Sequence, residues 1–451
     1  MTTTIYWFRQ DLRLHDNAAL NHACTKSSEL LPLVLRETDP ADMSDTPWGF
    51  LRCGPHRASF WSQAAAGVRE QLRQRGSELY QPKRAGIEGL IELAHEMAIT
   101  QVVCEAIHAP EEQSEVKALR QAGIAVVEIE QSSLLSAEDL PFDPQQAPTV
   151  FTAFRQAVEK NKVRPKRPLA PPAVLPPLPK RLAVNLATNL ATNPPLNPSS
   201  LAAPFVVAVP FTPAADPRSA FPYQDADWHG DEASALAHLK RYFSSNLPQR
   251  YKQTRNGLVG TDYSTKFSPW LAVGALSPRA IWEALEAHEA ERGQNDGTYW
   301  IWFELLWRDH FRLMMRRFGR RIFLKHGLLD APPPPKADQK PAIFQMWTQG
   351  RTKEPFVDAG MRELAATGYL SNRMRQNVAS YLIHELEGDW RAGAAWFEHS
   401  LIDYDVHSNQ GNWAYIAGVG TDPRGGRAFN IQKQAHDYDR SGDYRKLWAS
   451  L

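Results

Sequence analysis

Short apolar runs alternate with longer stretches of helical period over the first 130 residues. Ile5–Phe8, Leu31–Leu35, Glu78–Tyr80, Gln101–Cys104 and Ile124–Ile129 read as strands, being short, apolar and bounded by turn residues. Arg57–Arg75, Ile87–Met97 and Glu111–Ala122 fall between them with apolar positions at helical spacing. Strands and helices in alternation predict a parallel, Rossmann-like sheet covered by helices on both faces. Arg9-Gln10-Asp11-Leu12-Arg13-Leu14-His15-Asp16-Asn17 follows the first strand in place of a G-x-G-x-x-G turn, which argues against a dinucleotide site there.

From about Gln131 the pattern dissolves, and Lys160 to Pro198 is rich in proline and in lysine and arginine. Asn-Leu-Ala-Thr occurs twice within Asn185–Thr192, a repeat too short to be an architecture. This reads as an extended connector over the surface, with its charges serving solvation. After Trp228 the period is almost wholly helical, broken by Pro and Gly, with Pro332–Pro335 marking a loop. The chain therefore divides into an α/β domain (1–130), a long Pro-rich connector (131–228) and an all-α C-terminal domain (229–451).

Composition changes this picture little. A formal charge of +1 announces no global field for nucleic acid, so any basic surface is local. Cys24, Cys53 and Cys104 have neither metal spacing nor an even count, which fits a reducing compartment. No basic, apolar leader precedes the first strand and no apolar run is long enough to cross a bilayer, so a cytoplasmic protein is expected. Eleven of the fourteen tryptophans lie from Trp228 onward, as expected of a large helical core.

The candidate chemistry lies in that second half. Ser371–Asn377 and Asp403–Trp413 place arginines, aspartates and amides where a plain helical protein would put Leu and Ala. Buried polar groups need partners, and a large polar ligand, part flat ring and part phosphate, would supply them. A carboxylate near Arg375 would make a charge-assisted pair. Ser264–Pro269 reads as a helix start, with Ser268 as cap, Pro269 at the first helical position and Lys266 among hydroxyls, a potential anion site. In the helix around Trp302–Arg312, Glu304 and Arg308 are four apart and could pair, and apolar neighbours would raise the Glu304 pKa. Zinc spacing, a Ser-His-Asp signature and a P-loop are all missing, so no metal is expected.

Trp7–Asn17, Tyr251–Gly257, Ser264–Pro269, Trp302–Asp309, Arg362–Gly368, Asn372–Asn377, Asp403–Trp413 and Phe429–Gln434, in this order, resemble the photolyase/cryptochrome flavoproteins, and most closely the DASH-type cryptochromes. The resemblance implies FAD in the helical domain. Tyr251 with Ser264, Thr265, Lys266, Phe267 and Ser268 would hold its phosphates, and Arg308 and Asp309 would follow in the flavin-contact helix. Arg375 would pair with Asp403 beside the flavin ring, Asp405 would accept from its imide, and Asn409 would face its reactive edge. The implied reaction is blue-light-driven repair of cyclobutane pyrimidine dimers, preferentially in single-stranded DNA. An electron passes from excited reduced FAD to the dimer, the ring splits and the electron returns. Glu304 would bond the dimer carbonyls, and Trp307, Asn372, Gln376 and Tyr415 would line the pocket for the flipped lesion, with Arg373 on a phosphate. RNA is a further candidate partner, and a monomer is expected. The alternative is a blue-light photoreceptor or nucleic-acid-binding regulator with little repair activity.

Three positions depart from the family pattern. Trp413 and Trp390 match the inner two members of its tryptophan electron-transfer chain, but Ala337 stands at the outer position. Ala106-Ile107 replace an Arg-Glu pair, which counts against a methenyltetrahydrofolate antenna. Lys353-Glu354 replace a glycine and an aromatic residue before Pro355.

Overall fold

The structure, a computed structural model, describes residues 2–35, 46–180, 182, 202–205, 214–224, 228–330, 341–421 and 425–450. The Asn185–Thr192 repeat, the Pro332–Pro335 run and Ala337 lie outside the described residues.

Five strands are parallel: β1 (Thr3–Phe8), β2 (Glu29–Val34), β3 (Tyr80–Pro82), β4 (Gln101–Glu105) and β5 (Ala125–Ile129). A short sixth, β6 (Ala202–Pro204), joins the β3 edge antiparallel, which the sequence reading did not anticipate. The order is β5-β4-β1-β2-β3-β6, and Ile5 stands opposite Leu31 on one side and Val102 on the other. Strand side chains alternate between faces, and the core divides accordingly. Ile5, Trp7, Leu31, Leu33, Val102 and Cys104 pack on one face with Leu90 and Leu93 of α3 (Gly86–Glu96) and Leu119 of α4 (Pro110–Gln121). Tyr6, Phe8, Leu30, Val34 and Val103 pack on the other with α1 (Ala18–Lys26) and α2 (Pro55–Arg73).

That second core does not stop at the sheet. It runs on through Phe151 and Phe154 of α5 (Phe151–Lys160) to Trp270, Ile281 and Leu305 of the helical region. The connector, where the sequence offered no clear periodicity, thus contains a helix, whose apolar Phe151, Phe154 and Val158 fall on one face. From Glu232 onward the described residues are helical, and the longest helix is Asp296–Phe318. Asn295 caps it in a reciprocal box: its side-chain oxygen accepts from Gly297 and Thr298 N–H, and Thr298 Oγ1 accepts from Asn295 N–H. Gly411 allows a neighbouring helix, Val406–Ala417, to lie against it, because a Cβ there would stand 2.1 Å from the Phe311 ring. Among the described residues no helix is long and apolar enough to cross a membrane.

The departure at Lys353 has a backbone explanation. Its φ is +72°, in the left-handed region that glycine occupies without strain. The Asp358 carboxylate accepts from the N–H of Thr352 and of Lys353, which secures the turn. Glu354 then caps the helix Pro355–Thr367, accepting from Phe356 N–H.

Candidate active site

Three helices present one face each to a common cavity of about 780 Å³. Glu304, Trp307, Arg308 and Phe311 come from the long helix, at helical spacing. Asn372, Arg375, Gln376 and Ala379 come from Asn372–Ser380, whose cap Ser371 accepts from Met374 N–H. Ser408, Asn409, Asn412 and Trp413 come from Val406–Ala417, which Asp405 caps by accepting from Ser408 N–H. The Ser264–Ser268 segment, Tyr251, Asp403 and Tyr415 complete the set foreseen from sequence, so all the expected site residues line the cavity except Asp309, Arg373 and Trp390.

The polar wall is held by charge. Arg375 donates to Asp403 at 2.7 Å and to the Leu370 carbonyl at 2.7 Å, and Ser268 Oγ donates to the same Asp403 oxygen at 2.7 Å. Ser268 is therefore committed to Asp403, not to capping its helix, whose cap position is Phe267. The other Asp403 oxygen is buried without a hydrogen-bond partner among the described residues, as is Lys266 Nζ. Burial pushes the Lys266 ammonium well below its ordinary pKa, and its contacts are the ring faces of Tyr263 at 3.4 Å and Tyr369 at 4.8 Å. A buried ammonium and carboxylate oxygen left unmatched on one cavity wall are what a ligand with both acceptors and donors would satisfy, so the residues fit FAD.

Nearby, burial alone would raise the Asp405 pKa, but His407, Arg308 and Arg312 outweigh it and hold the carboxylate well below its usual range. Burial pushes the His407 pKa down to about 4, against the pull of the Asp405 carboxylate 3.4 Å away. Asn409 is oriented by donating to the Ala394 carbonyl at 3.0 Å. Trp413, 2% exposed, meets Trp347 edge-on at 6.3 Å and Phe397 at 5.0 Å. Trp390 lies outside the cavity, donating to the Lys325 carbonyl at 3.1 Å, one turn before the Gly393 backbone that packs on the Trp413 ring.

At the other end, Glu304 pairs with Arg255 at 2.6 Å, not with Arg308. The expected pairing fails because Arg308 is spent on the Ser132 carbonyl. Burial raises the Glu304 pKa, and Arg255 opposes the shift. Asp309 points away from the cavity: its two oxygens accept from the N–H groups of Leu134 and Leu135 at 2.9 and 2.8 Å, so it braces the connector. Arg373 stands outside the cavity wall, donating to Gln376 and Asn256 with its guanidinium over Tyr438. Sequence reasoning missed Arg255, Tyr263, Tyr369 and Arg427 as lining residues. Arg255 had a signal, lying four residues after Tyr251 at helical spacing; Tyr369 had none. Arg427 donates to the Tyr415 hydroxyl at 2.5 Å and so positions it.

Ile107, which stands where the resemblance expected a charged residue, is 1% exposed and packs with Ala109, Ala147, Met314, Met315, Ile322 and Val406. Protein purified with its flavin is expected to show no additional near-ultraviolet folate absorption; a bound folate recovered by denaturation and chromatography would contradict this.

Residues 4–176 match the family model described as DNA photolyase, and residues 300–450 match the FAD binding domain of DNA photolyase. A cryptochrome DASH of Xenopus laevis is 44% identical, over 98% of this chain and 81% of that one. A cryptochrome DASH of Synechocystis sp. is 41% identical, over 99% of this chain and 87% of that one. The crystal structure of a Synechocystis cryptochrome superposes with a TM-score of 0.85 at 38% identity, covering 99% of this chain and 88% of that one. A bacterial class III photolyase from Agrobacterium tumefaciens gives 0.71 at 26% identity, covering 99% and 86%.

Proposed function

This chain belongs to the DASH cryptochromes of the photolyase family, with an FAD-binding helical domain, and we propose that it is a light-driven repair enzyme for cyclobutane pyrimidine dimers, preferentially in single-stranded DNA. The observation that carries this reading is that one cavity holds both chemistries. The Arg375–Asp403 pair and Lys266 lie on its polar wall, and Glu304, Trp307, Gln376 and Tyr415 also line it. When bound, reduced FAD supplies the electron that opens the cyclobutane ring under blue light and takes it back afterwards.

The chain's own residues do the rest. Lys266 and the Ser264–Phe267 segment would hold the diphosphate, while Arg375, fixed by Asp403, would orient the ring system. Asp405, held ionised by its neighbours, would accept a hydrogen bond from the flavin ring. Trp307 offers an aromatic surface to a flipped pyrimidine, an interaction indifferent to base identity. Glu304, which burial pushes toward the neutral acid against the pull of Arg255, would donate a hydrogen bond to a dimer carbonyl and stabilise negative charge as it develops there. Unpaired strands lower the cost of bringing the lesion into the cavity, which favours a single-stranded substrate.

The test is illumination of the purified, reduced, FAD-loaded protein with dimer-containing single-stranded and double-stranded oligonucleotides. Restored thymines, faster in the single strand, are expected. If neither substrate is repaired, the chain is a photoreceptor or nucleic-acid-binding regulator.

A further inference from the structure

Phe151 opens α5, far in sequence from Trp307, yet the two rings lie flat against each other, centroids 3.8 Å apart and planes 9° from parallel. The segment that carries Phe151 is pinned to the long helix. His310 donates to the Pro148 carbonyl at 3.0 Å, and Arg317 donates to the Ala147 carbonyl at 2.5 Å. The Phe151 ring is then boxed by Phe303 edge-on at 5.1 Å and by His310 at 5.7 Å. Phe151 is buried and takes no part in the cavity wall, whereas Trp307 is half-buried and does. One face of the indole is therefore closed by Phe151; Phe311, tilted 33° at 5.4 Å, and Tyr415, edge-on at 6.2 Å, border the rest of the ring, which lines the cavity.

We propose that Phe151 is a positioning residue for lesion recognition: it fixes the plane of Trp307 so that a flipped base stacks on the indole's other face, as the third layer of a Phe–Trp–base stack. This rests on the reading of the cavity as a lesion site. Parallel stacking differs from ordinary apolar filling because it restrains ring tilt, and tilt decides how much of a base the indole covers. Ordering the indole before binding also reduces what association must immobilise.

The experiment uses full-length, FAD-loaded Phe151→Leu and, as a variant that keeps more volume, Phe151→Met. Binding is measured to a single-stranded oligonucleotide with one thymine dimer and to its undamaged counterpart, alongside FAD content. Both variants are expected to weaken dimer binding about tenfold, in keeping with the worth of one base–aromatic stack. Binding of the undamaged strand and FAD content are expected to stay within about twofold, since neither uses that stack. In a Trp307→Ala background, Phe151→Leu is expected to add nothing. Equal losses for damaged and undamaged strands, or full additivity with Trp307→Ala, would overturn the proposal, because Phe151 would then act on the fold alone. If Trp307→Ala itself leaves dimer binding unchanged, the stacking role of Trp307 fails first and the proposal falls with it.

Discussion

Asp403→Ala protein is expected to fold but to bind FAD at least about a hundredfold more weakly, emerging from purification nearly colourless. Asp403 ties three chain segments together on the polar wall. It receives Arg375 from one helix and Ser268 from the start of another, and itself precedes the helix Val406–Ala417. Removing one partner of a buried pair strands the other charge, at a cost of about 3–5 kcal/mol. Part of that falls on the fold and part on the cofactor, because Arg375 no longer has a fixed direction. About 2.7 kcal/mol on the cofactor alone is a hundredfold in affinity. Titration of FAD into the stripped protein checks the first figure, and far-ultraviolet dichroism checks the fold. The double variant Arg375→Ala/Asp403→Ala is expected to be less destabilised than the sum of its parts, because it leaves no charge unmatched. Unchanged FAD affinity in Asp403→Ala would show that the pair is merely structural.

The second large effect is expected at Glu304. Its alanine variant should retain FAD yet repair about tenfold fewer dimers per absorbed photon, since a hydrogen bond to a charged group is worth roughly 1.5–3 kcal/mol. The sign of the pH dependence follows from the environment. Burial raises the Glu304 pKa, so the neutral, donating form persists above the ordinary carboxyl range and is lost as pH rises further. Repair by the native protein should therefore decline as pH rises through that raised pKa. Glu304→Gln, which keeps a donor but cannot ionise, should lose that decline while keeping part of the activity. An identical decline in Glu304→Gln would assign the titration to another group.

How much of this was legible beforehand depends on the residue. The parallel sheet was, because β1 to β5 are apolar runs separated by helical period. So were the cavity-facing sets 304/307/308, 372/375/376 and 405/409, since side chains three and four apart share a helix face. Charge called for a carboxylate beside Arg375, and the family resemblance named it as Asp403. Asp309 did not, because a carboxylate turned toward a ligand and one turned toward two backbone N–H groups look the same in sequence. Ser268 looked like a cap for the same reason: its hydroxyl had a nearer local use, and a carboxylate 135 residues away took it instead. Phe151 was invisible because its helix lies where the periodicity had dissolved, and its partner is 156 residues distant.

The grip of the long helix on the connector bears on how the chain acquires its working form. Arg308, Asp309, His310 and Arg317 all bond to backbone between Ser132 and Pro148, across separations of 162 to 176 residues. Contacts so far apart in sequence form slowly, since a long loop must close before any of them is rewarded. The helix can acquire its hydrogen bonds early, while the side chains that orient the cavity await the arrival of the connector. Refolding is therefore expected in two stages: far-ultraviolet ellipticity returns first, and quenching of added FAD follows with a lag. Coincident signals in stopped-flow refolding would show instead that the connector docks as the helices form. On this order of events the last part of the protein to be built is the one that meets light.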